Sequence, residues 1–273
     1  MALTTFRRHE KKYLLNHEQW QAMMALLPRY MEPDSYDRGG AGYTVYNIYF
    51  DTPQHDLIRH SLSKPSFKEK LRLRSYEVPV DEKAPVFLEL KKKICGTVSK
   101  RRLMLPLSAA MTFTATGELP AVSEESDWQS RQVASEIQYL LSRHSLAPKV
   151  FISYERTAYF CRNDQRFRIT FDRNLISRRN QIDLRKGRVG ELIIPEDRIL
   201  MEIKTVGAYP LWLTRQLSAA GIYPTSFSKY GEEYRQYVHR VQAVKQQVRP
   251  FSEKAASGDH PKDFEGLSHA VQI

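Results

Sequence analysis

The sequence predicts an α+β fold, a closed eight-strand antiparallel β-barrel with helices packed outside. Two observations predict it. In segment after segment, apolar and charged residues alternate with a period of two, the signature of strands with one buried face. The charged faces are mostly Lys and Arg with isolated Glu among them, a set better suited to lining a lumen than to covering a solvated sheet. A closed barrel would satisfy both faces and remove the sheet edges, with the helices covering the apolar exterior. For any single strand, the plainer reading, a charged face turned to solvent, stays open.

The first strand is Arg7–Leu15, with Arg8, Glu10, Lys12 and Leu14 on one face. Asn16 with Gln19 three places on has capping-box spacing and opens a helix through Trp20 and Met24 that stops at Pro28. A Gly- and Asp-rich loop leads to a strand at Tyr43–Asp51, and a short helix spans about His55–Leu62. In Phe67–Tyr76, Lys68, Lys70, Arg72 and Arg74 share one face and Leu71 and Leu73 the other. Val86–Ile94 sends Phe87, Glu89, Lys91 and Lys93 one way; after a turn at Cys95-Gly96, Thr97–Leu105 places Lys100 and Arg102 together. Lys92, Lys93 and Arg101 read as surface charges.

Pro106–Glu125 reads as a helix plus a loop, and Asp127 to about His144 has helical period. Strands resume at Val150–Phe160, with Ile152, Tyr154 and Arg156 on one face, and at Phe167–Asp172, where Arg168, Thr170 and Asp172 oppose three apolar residues. Asn174–Gln181 reads as a further strand. Arg198–Thr205 sets Glu202 and Lys204 against Ile199, Met201 and Ile203. A helix from Pro210 to Gly221 and a last helix from Glu232 to about Val248 follow. One domain over residues 1–248 is expected, with 249–273 a disordered tail.

Composition narrows the function. The 273 residues carry 42 Lys+Arg against 31 Asp+Glu, a net charge of +11, with 41% hydrophobic residues, enough for a core. Between Lys64 and Arg102 stand twelve Lys/Arg and five acids. No run approaches the ~20 apolar residues of a membrane span, and the N-terminus has no apolar leader, so a cytoplasmic protein is expected. The two cysteines, Cys95 and Cys161, lack disulfide or zinc spacing, and the histidines show no ligand spacing. Converging cations call for an anionic guest. Arg forks onto phosphate oxygens and Lys adds point charge, which suits a chain of phosphates, while Glu10, Glu89 and Glu202 offer the hard oxygens that Mg²⁺ or Mn²⁺ prefers. Nucleic acid fits less well, because the basic strands lack interleaved stacking aromatics.

Arg8-His9-Glu10-Lys11-Lys12-Tyr13, Asn47-Ile48-Tyr49-Phe50-Asp51-Thr52, Lys70-Leu71-Arg72-Leu73-Arg74, Glu89-Leu90-Lys91, Tyr154-Glu155-Arg156, Arg168-Ile169-Thr170-Phe171-Asp172, Met201-Glu202-Ile203-Lys204 and Phe227-Ser228-Lys229-Tyr230 occur in that order. Together they resemble the polyphosphate polymerase domain of the vacuolar transporter chaperone (VTC) type, in the CYTH-like triphosphate tunnel metalloenzyme superfamily. The resemblance covers about Arg7 to Val248. It implies a triphosphate tunnel fold in which the γ-phosphate of ATP is passed to a growing polyphosphate chain with the help of Mn²⁺ or Mg²⁺. It further implies that Lys12, Arg72, Arg74, Lys91, Arg156, Arg168 and Lys229 serve catalysis as positioning and charge-neutralising groups. With Lys100, Lys204 and Ser228 they would bind phosphate, and Glu202 and Glu10 would hold the metal.

Three departures stand out. Arg8 occupies the first Glu position of the superfamily's Glu-x-Glu-x-Lys signature, and Ser226 occupies a position where the polymerases tend to have Lys. Neither a phosphate-sensing SPX domain nor a membrane segment is visible, so product export would call for a membrane-protein partner, with the protein at the inner face of a membrane. A triphosphatase or nucleoside triphosphatase in the same tunnel, and a polyphosphate-binding module without turnover, remain the alternatives.

Overall fold

Alternation of apolar and charged residues resolves, in the computed structural model, into ten strands of one antiparallel sheet. The structure describes residues 9–34, 36, 42–79, 81–119 and 128–253. Arg8, the Glu125 end of the low-charge segment and residues 254–273 of the expected tail lie outside them. The strands are β1 (His9–Leu15), β2 (Met31–Pro33), β3 (Tyr43–Asp51), β4 (Phe67–Ser75), β5 (Pro85–Ile94), β6 (Thr97–Pro106), β7 (Ala147–Cys161), β8 (Asp164–Arg178), β9 (Glu191–Leu192) and β10 (Ile199–Thr205). Eight run side by side in the order β1-β10-β8-β7-β3-β4-β5-β6, while β2 pairs with β7 and β9 with β8.

The expected closed eight-strand barrel is therefore corrected: among the described residues no ladder joins β1 to β6. The second edge of β1 is taken instead by Thr225, whose N–H donates to the Lys12 carbonyl at 2.7 Å. The segment leading into the last helix thus occupies the place that closure would require.

Helices α1 (His17–Leu26), α2 (Asp56–Leu62), α3 (Leu107–Thr116), α4 (Trp128–Arg143) and α5 (Leu211–Ala219) accompany the sheet, and α6 spans Lys229–Glu253. Asn16 and Gln19 close the expected capping box, with Asn16 Oδ1 accepting from the Gln19 N–H at 2.8 Å and Gln19 Oε1 from the Asn16 N–H at 3.1 Å. The β5–β6 turn has both Cys95 and Gly96 at positive φ, 46° and 87°, as a two-residue hairpin requires. The two strands expected at 167–172 and 174–181 are one. Asn174 takes φ 50° beside a register shift against β7, so the chain bulges and continues.

The apolar faces form three clusters. Leu71, Leu73, Leu88 and Leu103 pack under α3 and α4. Tyr13, Leu15, Ile169, Met201 and Ile203 pack with α1 and α5 residues such as Met23 and Leu213. Val45, Ile152 and Leu200 surround Ile58 of α2 and Tyr230 of α6. Asp51 joins strand end to helix: its carboxylate accepts from the N–H groups of Thr52, Leu57 and Ile58 at 2.9, 2.9 and 3.0 Å and from Tyr230 Oη at 2.9 Å. Helix α6 begins at Lys229, three residues before the expected start, and runs beyond the expected Val248. The chain divides into two compact units after Tyr234, and the described part of the second, residues 235–253, is the remainder of α6.

Candidate phosphate-binding cavity

The charged strand faces converge on a cavity of about 800 Å³. Its lining contains all twelve residues singled out from the sequence: Glu10 and Lys12 from β1, Arg72 and Arg74 from β4, Lys91 from β5, Lys100 from β6, Arg156 from β7, Arg168 from β8, Glu202 and Lys204 from β10, and Ser228 and Lys229 at the start of α6. Lys70 and Arg102, which share faces with members of that set, complete eleven cations against two lining carboxylates. Lys92 and Arg101 point away, toward Glu136 of α4 at 3.3 and 3.4 Å.

On the wall formed by β4, β5 and β6, one carboxylate serves four cations. Glu89 is 1% exposed, with Arg72, Arg102 and Lys100 at 2.7, 2.6 and 2.8 Å and Arg74 at 3.8 Å. Burial alone would raise its pKa, but Arg72, Arg74 and Lys100 outweigh burial and hold the carboxyl well below the ordinary range. With both oxygens so engaged, Glu89 is a buried counter-ion and is not placed to offer oxygens to a metal. Beside it the ladder sets Lys70 opposite Lys91 and Lys91 opposite Lys100. Like charges directly across a ladder repel. Burial first, and neighbouring cations second, lower Lys70 to about 7; burial likewise lowers Lys100, to about 8, against the pull of Glu89.

The facing wall, β7, β8, β10 and β1, distributes its acids. Asp172, fully buried, accepts a fork from Arg156 at 2.6 and 2.8 Å and a third bond from Lys229 at 2.6 Å. Lys204 lies 2.7 Å from Glu202, Arg168 3.0 Å from Asp34, and Lys12 3.4 Å from Glu10. Burial would raise Glu202, yet Lys204, Lys12, Arg156 and Lys229 hold it well below the ordinary carboxylate value, so it is ionised at neutral pH. Among the described residues of these strands, Arg168 Nε and Thr170 Oγ1, with Ser153 Oγ and Arg178 Nε, are buried with no hydrogen-bond partner.

Tyrosines supply what sequence reasoning missed. Arg72 donates to Tyr49 Oη at 3.3 Å, Arg74 to Tyr154 Oη at 3.2 Å, Arg102 to Tyr76 Oη at 3.1 Å and Arg168 to Tyr43 Oη at 3.3 Å. A neutral phenol orients a guanidinium without cancelling its charge. Tyr154 also lies under the Lys229 ammonium, 4.3 Å from ring centre to nitrogen. Burial would raise its pKa, but Arg74, Arg156 and Lys229 bring it down to about 8. The period of two puts Tyr154 on the face of Arg156; it gives Tyr43, Tyr49 and Tyr76 no role of their own.

Comparison with known families decides the grouping: the VTC-domain profile matches residues 7–238. The chain belongs to the VTC-domain family. Among solved structures, this VTC-domain chain is similar to a Bacillus halodurans protein assigned provisionally as an adenylate cyclase (16% identity, 80% of this chain and 92% of that one, TM-score 0.46). It is also similar to a Hippeastrum protein, provisionally an adenylyl cyclase, described as having a dominant triphosphatase activity (18% identity, 81% and 92% coverage, TM-score 0.46). No curated protein matches.

Proposed function

We propose that this VTC-domain protein is a metal-dependent polyphosphate polymerase that transfers the γ-phosphate of ATP to the end of a growing chain in the cavity. The observation that carries the reading is the charge of that cavity, eleven Lys and Arg to two Glu, arranged along strands that can follow a linear polyanion. A terminal phosphate oxygen of the chain attacks Pγ, the bond from Pγ to the ADP oxygen breaks, and ADP leaves with the electron pair. Such a transfer needs alignment and charge neutralisation more than a protein nucleophile. Arg72, Arg74, Arg156 and Arg168 hold phosphates in forks, while Lys12, Lys91, Lys100, Lys204, Lys229 and Ser228 complete the cradle.

No group of three or more His, Cys, Asp or Glu able to hold a metal exists among the described residues. The ionised Glu202 and, beside it on β1, Glu10 fit a Mg²⁺ or Mn²⁺ ion that takes most of its oxygens from the phosphates, the way Mg²⁺ is commonly held. Such an ion would add charge neutralisation at the transferring group. No helix among the described residues is long and apolar enough to cross a membrane. Export of the product would be the work of a membrane-protein partner, with this chain at the inner face of the membrane.

The test is incubation with γ-labelled ATP and Mn²⁺ or Mg²⁺, with and without a short polyphosphate primer, and separation of the products on a gel. A ladder of polymers accompanied by ADP is expected. Orthophosphate or tripolyphosphate alone would establish a hydrolase instead, and binding without turnover a binding module. Glu202→Gln is expected to lower metal-dependent turnover by about a hundredfold or more while phosphate binding persists; full activity in that variant removes Glu202 from the metal site.

A further inference from the structure

Lys70 stands apart among the lysines of the cavity. Lys12 and Lys91 lie within 4.0 Å of Glu10, Lys100 of Glu89, Lys204 of Glu202 and Lys229 of Asp172. Among the described residues Lys70 has no carboxylate at that distance. Its ammonium donates to Ser228 Oγ at 3.1 Å, and the Lys12 ammonium donates to the neighbouring Phe227 carbonyl at 3.1 Å. Two side chains from separate strands thus bring positive charge to the same short segment at the start of α6. An ammonium has three N–H donors, and Ser228 takes one of Lys70's.

The groups around Lys70 are cations from every side: Lys12 on β1, Lys68 and Arg72 on its own strand, and Lys91 on β5. Glu10, the acid on β1, is already engaged by Lys12 and Lys91. A lysine so placed gains most from an anion arriving in the cavity. Ser226, where the family resemblance expects a lysine, is exposed and brings no cation to the α6 approach.

We propose that Lys70, with Lys12 and Ser228, forms the seat of one phosphate of the bound chain, and that it supplies from β4 the cation that position 226 lacks. This rests on the polyphosphate reading of the cavity. The seat carries a pH signature. Lys70, lowered to about 7 by burial and its neighbours, is an ammonium below that pH and contributes fully. Above it, phosphate binding must draw a proton from solvent to recharge the side chain, so the contribution of Lys70 falls as pH rises.

The experiment titrates tripolyphosphate into the full chain without ATP or metal, at pH 6.5 and pH 8.5. Lys70→Met is expected to bind about tenfold more weakly at pH 6.5, the value of one charge-assisted hydrogen bond, with a smaller difference at pH 8.5. Adding Ser226→Lys to Lys70→Met should recover most of the affinity, while the thermal unfolding midpoint reports whether the variants are folded. Equal binding by Lys70→Met at pH 6.5, or a loss that Ser226→Lys does not recover, overturns the seat and leaves Lys70 as a support for Ser228. Failure of the wild-type chain to bind tripolyphosphate overturns the polyphosphate reading itself, a separate result.

Discussion

The wall of β4, β5 and β6 and the wall of β7, β8, β10 and β1 face each other across the same cavity and handle buried cations in opposite ways. On the first, Glu89 alone answers Arg72, Arg74, Lys100 and Arg102, and lysines stand opposite lysines along the ladder. On the second, Asp172, Glu202, Asp34 and Glu10 each answer one or two partners. On the second wall every lining cation has a carboxylate within 4.0 Å, four acids to five cations. The first is short of negative charge, and an anionic ligand is what completes it.

Removing the shared acid should have the largest effect on stability. Glu89→Gln strands four cations, one of them, Arg74, buried, and is expected to cost about 3 kcal/mol in urea unfolding at low salt, because breaking a buried ion network leaves uncompensated charge. Tripolyphosphate should restore more of that stability than it restores in Asp172→Asn; equal restoration would erase the distinction between the walls. Because the Glu89 pKa is depressed on folding, its contribution is present above the ordinary carboxylate pKa and is lost as pH falls through the folded value.

Arg72→Ala should next lower turnover by about a hundredfold with the fold retained, since Arg72 both lines the cavity and is oriented by Tyr49. Unchanged kcat/KM in the folded variant would take Arg72 out of the cradle. A smaller effect is expected of Lys100→Met. With Lys100 lowered to about 8, the wild-type advantage in tripolyphosphate affinity should be a few-fold at pH 7 and shrink by pH 9, read by calorimetric titration. The smallest belongs outside the cavity. Glu136→Ala, which frees Lys92 and Arg101 on the far face, should change stability by less than about 1 kcal/mol and leave turnover alone. A large loss there would mean that the two faces of β5 and β6 are coupled.

Much of this was legible because a strand's period of two is rigid: once Leu71 and Leu73 are buried, Lys70, Arg72 and Arg74 must share the other face. The same rule placed Lys91, Lys100, Arg168, Glu202 and Lys204. What the sequence concealed depends on pairing between distant segments. Glu89 reads like Glu202, a lone acid beside a lysine, and only the register that brings Arg72 and Arg102 to its two sides makes it a counter-ion. Asn174 looks like a break between strands, yet a left-handed residue in a bulge lets β8 continue. The last helix reads from Glu232, but Glu232 N–H donating to the Ser228 carbonyl at 2.7 Å, Tyr230 bound to Asp51 and Arg179 forked onto Glu233 secure a first turn that starts at Lys229. No local pattern reveals that Thr225, rather than β6, meets the edge of β1.

That substitution leaves the free edge of β1 held by a single backbone joint. A barrel closed by a ladder can widen only by giving up a row of backbone bonds. Here the free edge of β1 meets a short segment through the Thr225 N–H, and the ammonium groups of Lys12 and Lys70 donate to the same approach to α6. A joint of one backbone bond and two ammonium contacts has less to give up on opening than a ladder has.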